Sequence, residues 1–187
     1  EPKHAPPSFV LEALSDTSVL KSGLTAYPAT RGGLDIRTAI TEWLARRFRV
    51  HADPDRHVLP VNGTREALFS FGQAILSGTS NSCVLLPNPF YQIYEGATLL
   101  GGSTPVYVPS TADPNFDVVD EKTWDQCELL YICSPGNPSG SFIEKDLFGM
   151  LIERAHKHDF VIAADECYSE IYYDEGEPPK GLLEVAT

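Results

Sequence analysis

Apolar residues recur along this chain in two rhythms. Between residues 34 and 48, Ile36, Ile40, Trp43, Leu44 and Phe48 return at helical spacing, while Glu42, Arg46 and Arg47 fall on other faces. Beyond that helix, short apolar runs alternate with longer helix-spaced ones. Strands are expected over 58–61, 83–86, 104–108, 129–133 and 160–164, and helices over 64–76, 90–100 and 144–158, with a short helix near 118–124. Strand and helix in alternation predict parallel strands joined by crossover helices, an α/β fold of three layers with helices on both faces of a mostly parallel sheet. The start, with Pro2, Pro6 and Pro7, reads as extended. Residues 9–20 are weakly amphipathic and residues 21–31 read as a loop. No internal repeat is visible.

Length and composition fit that picture. A chain of 187 residues with 42% hydrophobic and 21% charged positions can bury roughly two thirds or more of its unfolded surface. Fourteen Lys and Arg against 26 Asp and Glu give a net charge of −12, which repels a phosphate backbone and disfavours nucleic acid as a partner. No apolar run approaches the ~18 residues of a membrane helix, and the start lacks a signal peptide's apolar region, so a cytoplasmic protein is expected, with no membrane partner. Cys83, Cys127, Cys133 and Cys167 form no C-x-x-C pair, and reduced thiols are expected. Asn62-Gly63-Thr64 matches a glycosylation pattern without a secretory context for it. His156 and His158 sit on a charged helix end and read as solvated rather than as metal ligands.

In an open parallel sheet, ligands bind beyond the carboxyl ends of the strands. Four loops there carry candidate chemistry: residues 62–66, 87–91, 134–140 and 165–168. Gly63, Thr64 and Arg65 open a helix, where free backbone N–H groups suit a small phosphate ester or simply take a cap. No triphosphate or dinucleotide fingerprint is present. Tyr91 could cover one face of a planar heterocycle or belong to the core. Asn137 sits between prolines in a turn-rich loop. Asp165 ends an apolar strand, where an unpaired charge is costly, so its carboxylate either caps the next turn or pairs with a cationic group such as a protonated ring nitrogen.

Taken jointly, these loops resemble the large domain of the class I and II, fold-type I, pyridoxal-phosphate aminotransferases. The resemblance runs from about residue 27 to residue 168, and the pairing of PGNPSG at 135–140 with DECY at 165–168 is its most specific part. YPAT at 27–30, LPVNGTREAL at 59–68, PNPFYQIYEG at 87–96 and DECYSEIY at 165–172 are similar to the succinyldiaminopimelate transaminase branch of that family.

The resemblance implies roles residue by residue. Asp165 matches the aspartate that keeps the pyridine nitrogen protonated, so that the ring accepts electrons from a carbanion. Asn137 and Tyr168 match the pair that bonds the ring's phenolic oxygen, which makes Asp165 and Tyr168 the implied catalytic residues. Tyr91 matches the ring-stacking aromatic, and Gly63, Thr64 and Arg65 the phosphate cup. Tyr27 matches a tyrosine that reaches the cofactor phosphate of the other subunit, which implies a homodimer. The cofactor is then pyridoxal 5'-phosphate, and the small-molecule partners are an amino acid, N-succinyl-L,L-diaminopimelate in that branch, and 2-oxoglutarate, a step of lysine and diaminopimelate biosynthesis.

One departure shapes the expectation. The family carries a Schiff-base lysine well beyond the Asp165 position, usually in a Ser-x-Ser-Lys setting, and none of Lys3, Lys21, Lys122, Lys145, Lys157 and Lys180 has that setting. An N-terminal half is therefore expected: residues 1–24 as an extended segment of the small domain or arm, residues 25–187 as an incomplete large domain, with no catalysis by the chain alone. Two alternatives stand beside it, an aminotransferase for aspartate or an aromatic amino acid, and a non-catalytic remnant serving as a binding or assembly module.

Overall fold

A computed structural model describes residues 4–79, 81–110 and 114–186. The chain divides into two compact units, one of residues Glu1–Glu42 with Ala52–Pro60 and one of Trp43–His51 with Val61–Thr187.

In the first unit the expected extended arm is instead largely helical, as α1 (Ser8–Ser15) and α2 (Thr17–Gly23). Asp16 accounts for the second helix, which replaces the start of the expected loop. Its carboxylate takes the Ser18 N–H at 2.8 Å, the bond that starts a helix. Neither helix buries a residue. The unit is clasped by Arg37, 7% exposed, whose guanidinium donates to Pro54 O and Asp55 Oδ1, both at 2.6 Å. Arg37 lies in the first turn of the third helix, α3 (Leu34–Phe48), which falls where its apolar spacing predicts it.

The expected strand at 58–61 does not form. Pro60 has no N–H for a ladder, and Leu59 and Val61 are 65% and 52% exposed, so nothing draws this segment into a sheet. Pro60 instead packs on Gly32, where a Cβ would lie 2.8 Å from its ring; Gly32 also holds φ +73°, a backbone that glycine adopts freely.

In the second unit, four parallel strands are described: β1 (Cys83–Asn88), β2 (Thr104–Pro109), β3 (Cys127–Cys133) and β4 (Val161–Asp165). Their order is β2-β1-β3-β4. Alternate residues of the central strands feed two cores, because both faces of a parallel sheet are covered. Val84, Leu86, Leu129 and Tyr131 pack on one face with residues from α4 (Thr64–Ile75) and α5 (Ile93–Leu100). Leu85, Leu130 and Ile132 pack on the other with Trp124 of α6 (Glu121–Gln126) and with Phe148 and Leu151 of α7 (Lys145–His158). Leu182 and Val185 of α8 (Leu182–Ala186), an element with no clear sequence signal, join this second face. The expected three-layer α/β/α architecture is thus the one observed.

Several bounds differ from expectation. The helix expected from 90 begins at Ile93, because residues 89–92 turn away from β1 first. The short helix near 118–124 is a 3₁₀ turn at Phe116–Val118 followed by α6, whose start Asp120 caps through the Thr123 N–H at 2.7 Å. His158 is not solvated. Its side chain is 2% exposed, lies against Trp124 with ring centroids 6.3 Å apart, and bonds Asp125 Oδ1 at 2.8 Å. All four cysteines are free thiols.

Leu130 and Leu59 test this division between core and surface. Leu130→Ala is expected to cost about 2–5 kcal/mol in urea unfolding, and Leu59→Ala less than about 0.5 kcal/mol. A comparable loss from Leu59→Ala would restore the strand at 58–61.

Candidate functional site

The strand order reverses between β1 and β3, so that their carboxyl ends open a crevice at a topological switch point. Asp165 ends β4 directly opposite Cys133, the last residue of β3, and its main-chain oxygen takes the Ser134 N–H at 3.1 Å. The residue is 6% exposed. Oδ2 accepts the Tyr94 hydroxyl at 2.6 Å and Oδ1 the Cys167 N–H at 3.3 Å. Both donors are neutral, so this buried carboxylate is hydrogen-bonded but keeps the capacity to receive a cation.

The loop after β3 is folded tightly by its own groups. Gly136 N–H donates to Ser141 O at 2.8 Å and Gly140 N–H to Gly136 O at 2.7 Å. A Cβ on Gly136 would lie 2.5 Å from Ser139 Oγ, so only glycine fits that turn unaltered. The fold brings Asn137 and Tyr168 together on one cavity of about 360 Å³, walled by Pro135, Phe142, Ile171 and Tyr172. Asn137 also borders the small crevice of Pro89, Phe90, Tyr94 and Cys133 at the β1 end. Tyr168 is 38% exposed, and its hydroxyl is raised above its ordinary pKa, first by the neighbouring Cys167 and then by burial. Burial and the nearby Asp165 carboxylate push the Cys167 thiol up to about 12.

Gly63 precedes α4 without any side-chain cap, and Thr64 and Arg65 are exposed. The helix start therefore presents free N–H groups. The Tyr131 hydroxyl donates to Leu68 O at 2.8 Å, one turn into α4, from a residue two short of the end of β3. A Cβ on Gly72 would lie 2.6 Å from that hydroxyl, so a glycine is what lets the helix approach. With Leu68 beside the end of β3 and the far end of α4 leading back to the start of β1, the helix opens at the carboxyl edge of the sheet. Tyr91 lies just beyond β1, half-buried, its ring edge-on to Tyr94 at 5.9 Å. Tyr27 belongs to the first unit and is 99% exposed.

Two groups were missed in the sequence. Tyr94 forms the closest bond to Asp165; its only signal was its position three residues after Tyr91, which also suits a core residue. The other is the tether of the segment after β4. Arg47 donates to Ser169 O at 3.1 Å, Pro179 O at 3.0 Å and Glu170 Oε1 at 2.9 Å, and Glu166 Oε1 takes the Leu182 N–H at 2.7 Å. These bonds hold the loop that carries Tyr168.

The residues of this chain match the family model of the class I and II aminotransferases over residues 1–187, and the chain belongs to that family. It is 31% identical to the LL-diaminopimelate aminotransferase of Maridesulfovibrio salexigens over 190 residues, covering 99% of this chain and 48% of that protein. Among solved structures it is similar to an aminotransferase of Neisseria meningitidis, with a TM-score of 0.89 and 42% identity over all of this chain and 48% of that one. It is similar also to the aminotransferase AspB of Helicobacter pylori, with a TM-score of 0.88 and 33% identity over the same shares. The chain thus spans about half the length of the relatives it matches.

Burial raises the pKa of Glu166 above its ordinary value, against the lowering effect of the Leu182 N–H and of Arg47. A carboxyl raised in the folded state favours the fold while protonated, so its contribution is full below the unfolded pKa and is lost as pH rises through the folded one. Glu166→Gln keeps an acceptor without the charge. Its melting temperature should exceed the native one at pH 8 and converge with it near pH 4; a constant difference across that range would remove the charge from the account.

Proposed function

We propose that this chain forms the cofactor-holding part of a pyridoxal-phosphate aminotransferase, which moves an amino group between an amino acid and a 2-oxo acid. The observation that carries this reading is Asp165, a buried carboxylate at a strand end whose two donors are both neutral. A pyridinium N–H suits its weakly bonded Oδ1. The other residues fit the same group: the uncapped start of α4 suits its phosphate, and the cavity bordered by Asn137 and Tyr168 is within the ordinary size range of ligand pockets.

In this reading Asp165 holds a proton on the ring nitrogen, Asn137 and Tyr168 donate to the phenolic oxygen, and Tyr91 covers one ring face. Gly63, Thr64 and Arg65 bind the phosphate through backbone N–H groups and the guanidinium. Pyridoxal phosphate bound there supplies an electron sink for the charge left on the amino acid's α-carbon. Tyr27 serves the partner's phosphate in a homodimer, and residues 25–187 belong to the large domain. Lys157 pairs with Glu121 and Lys180 with Glu184. The reading assigns the cofactor's lysine to the other half of the enzyme, and the site of action is the cytoplasm; no helix among the described residues is long and apolar enough to cross a membrane.

The amino donor belongs to the diaminopimelate class, with 2-oxoglutarate as acceptor. The stretches at 59–68 and 87–96 favour the N-succinyl form and the Maridesulfovibrio salexigens relative the free LL form, so assays of the full-length enzyme with both, against aspartate and tyrosine, decide among them.

Asp165→Asn tests the central role. Calorimetric titration with pyridoxal phosphate is expected to show a loss of affinity of at least about tenfold, with inorganic phosphate binding retained. Native affinity for pyridoxal phosphate in that variant would take Asp165 out of the site.

A further inference from the structure

Tyr94 is a buried polar side chain, 1% exposed, for which the roles above give no use. Its hydroxyl bonds Asp165 Oδ2 at 2.6 Å, from the first turn of α5 to the end of β4, across β1 and β3. Its ring stacks on Tyr131 with centroids 4.7 Å apart and planes 4° from parallel, and Tyr91 meets it edge-on. Tyr131 in turn donates to Leu68 O of α4. One side chain thus touches the group assigned to the ring nitrogen, the group assigned to the ring face, and the residue that fixes the phosphate-binding helix.

From this geometry we propose that Tyr94 is the positioning residue of the site: its hydroxyl locks the Asp165 carboxylate so that Oδ1 faces the ring nitrogen of the cofactor. This rests on the reading of Asp165 given above. The lock needs a donor that never changes state. Burial, and then the bond to Asp165, hold the Tyr94 hydroxyl far above its ordinary ionisation, so it remains a proton donor across the working pH range. A cationic donor in its place would neutralise Asp165 and compete with the pyridinium; a neutral phenol satisfies Oδ2 and leaves the charge available. The parallel stack on Tyr131 fixes the phenol's plane, which a single hydrogen bond would not.

The test is a double-mutant cycle on the affinity for pyridoxal phosphate, with inorganic phosphate as control. Tyr94→Phe keeps the stack and removes the hydroxyl. It is expected to weaken pyridoxal phosphate about tenfold in the native background and less than about twofold in Asp165→Asn, with phosphate affinity held. Tyr131→Phe, which lacks a bond to Asp165, is expected to have the same effect in both backgrounds. An equal factor for Tyr94→Phe in both backgrounds, or none in the native one, overturns the positioning role while leaving Asp165 in the site. Native affinity in Asp165→Asn alone overturns the ring-nitrogen reading and the positioning role together. A second measurement needs no variant. The ζ-carbon resonance of 13C-labelled Tyr94 should shift on addition of pyridoxal phosphate and not of inorganic phosphate; a resonance unmoved by either also contradicts the proposal.

Discussion

A carboxylate buried at the end of a parallel strand must find hydrogen-bond donors, and the way Asp165 finds them organises the second unit. At 6% exposure it has little access to water, so the donors come from the fold: Tyr94 across two strands and the main chain of Cys167 at the start of the turn that follows. That arrangement works only with the order β2-β1-β3-β4, which sets α5 and the β4 end on the same edge. Two neutral donors keep the carboxylate in the interior without cancelling its charge, the property that a partner of a cationic heterocycle needs. The aromatic column of Tyr91, Tyr94 and Tyr131 then ties that charge to the helix whose start suits a phosphate.

The loop beyond Asp165 has its own anchor. Arg47 spreads its guanidinium over Ser169 O, Pro179 O and Glu170, and its head lies 4.4 Å from the centre of the Phe48 ring. Glu166 closes the other end on Leu182 N–H, with no room for a side chain at Gly181, where a Cβ would lie 2.8 Å from Glu166 Oε2. Tyr168 is thereby held at the rim of its cavity by bonds that involve neither its ring nor its hydroxyl. Rigid support from outside the site is what the role proposed for Tyr168, a bond to a cofactor oxygen, requires.

Much of this was readable in the amino-acid order. The apolar runs of β1, β3 and β4 announced strands, and Asp165 stood out because a charge closing such a run needs a partner. The Gly and Pro pattern at 134–140 announced a tight loop. What the chain order could not convey was which strands lie side by side, so the bond between Tyr94 and Asp165, 71 positions apart, was invisible. The strand expected at 58–61 failed because apolar residue type was read as burial, although Pro60 argued against a ladder. His158 was misjudged for the opposite reason: charged neighbours suggested solvent, while Trp124 offered a flat apolar surface for its ring. Family resemblance joined the four loops into one site, a step that none of them licensed singly.

The central claim is that Asp165 holds a proton on a pyridine nitrogen. Nitrogen NMR of the protein with ring-15N pyridoxal phosphate measures that proton directly. The account predicts a protonated ring-nitrogen shift near neutral pH, with a through-hydrogen-bond coupling to the 13C-labelled carboxylate of Asp165. An unprotonated ring nitrogen, or a protonated one with its coupling to another side chain, would contradict it.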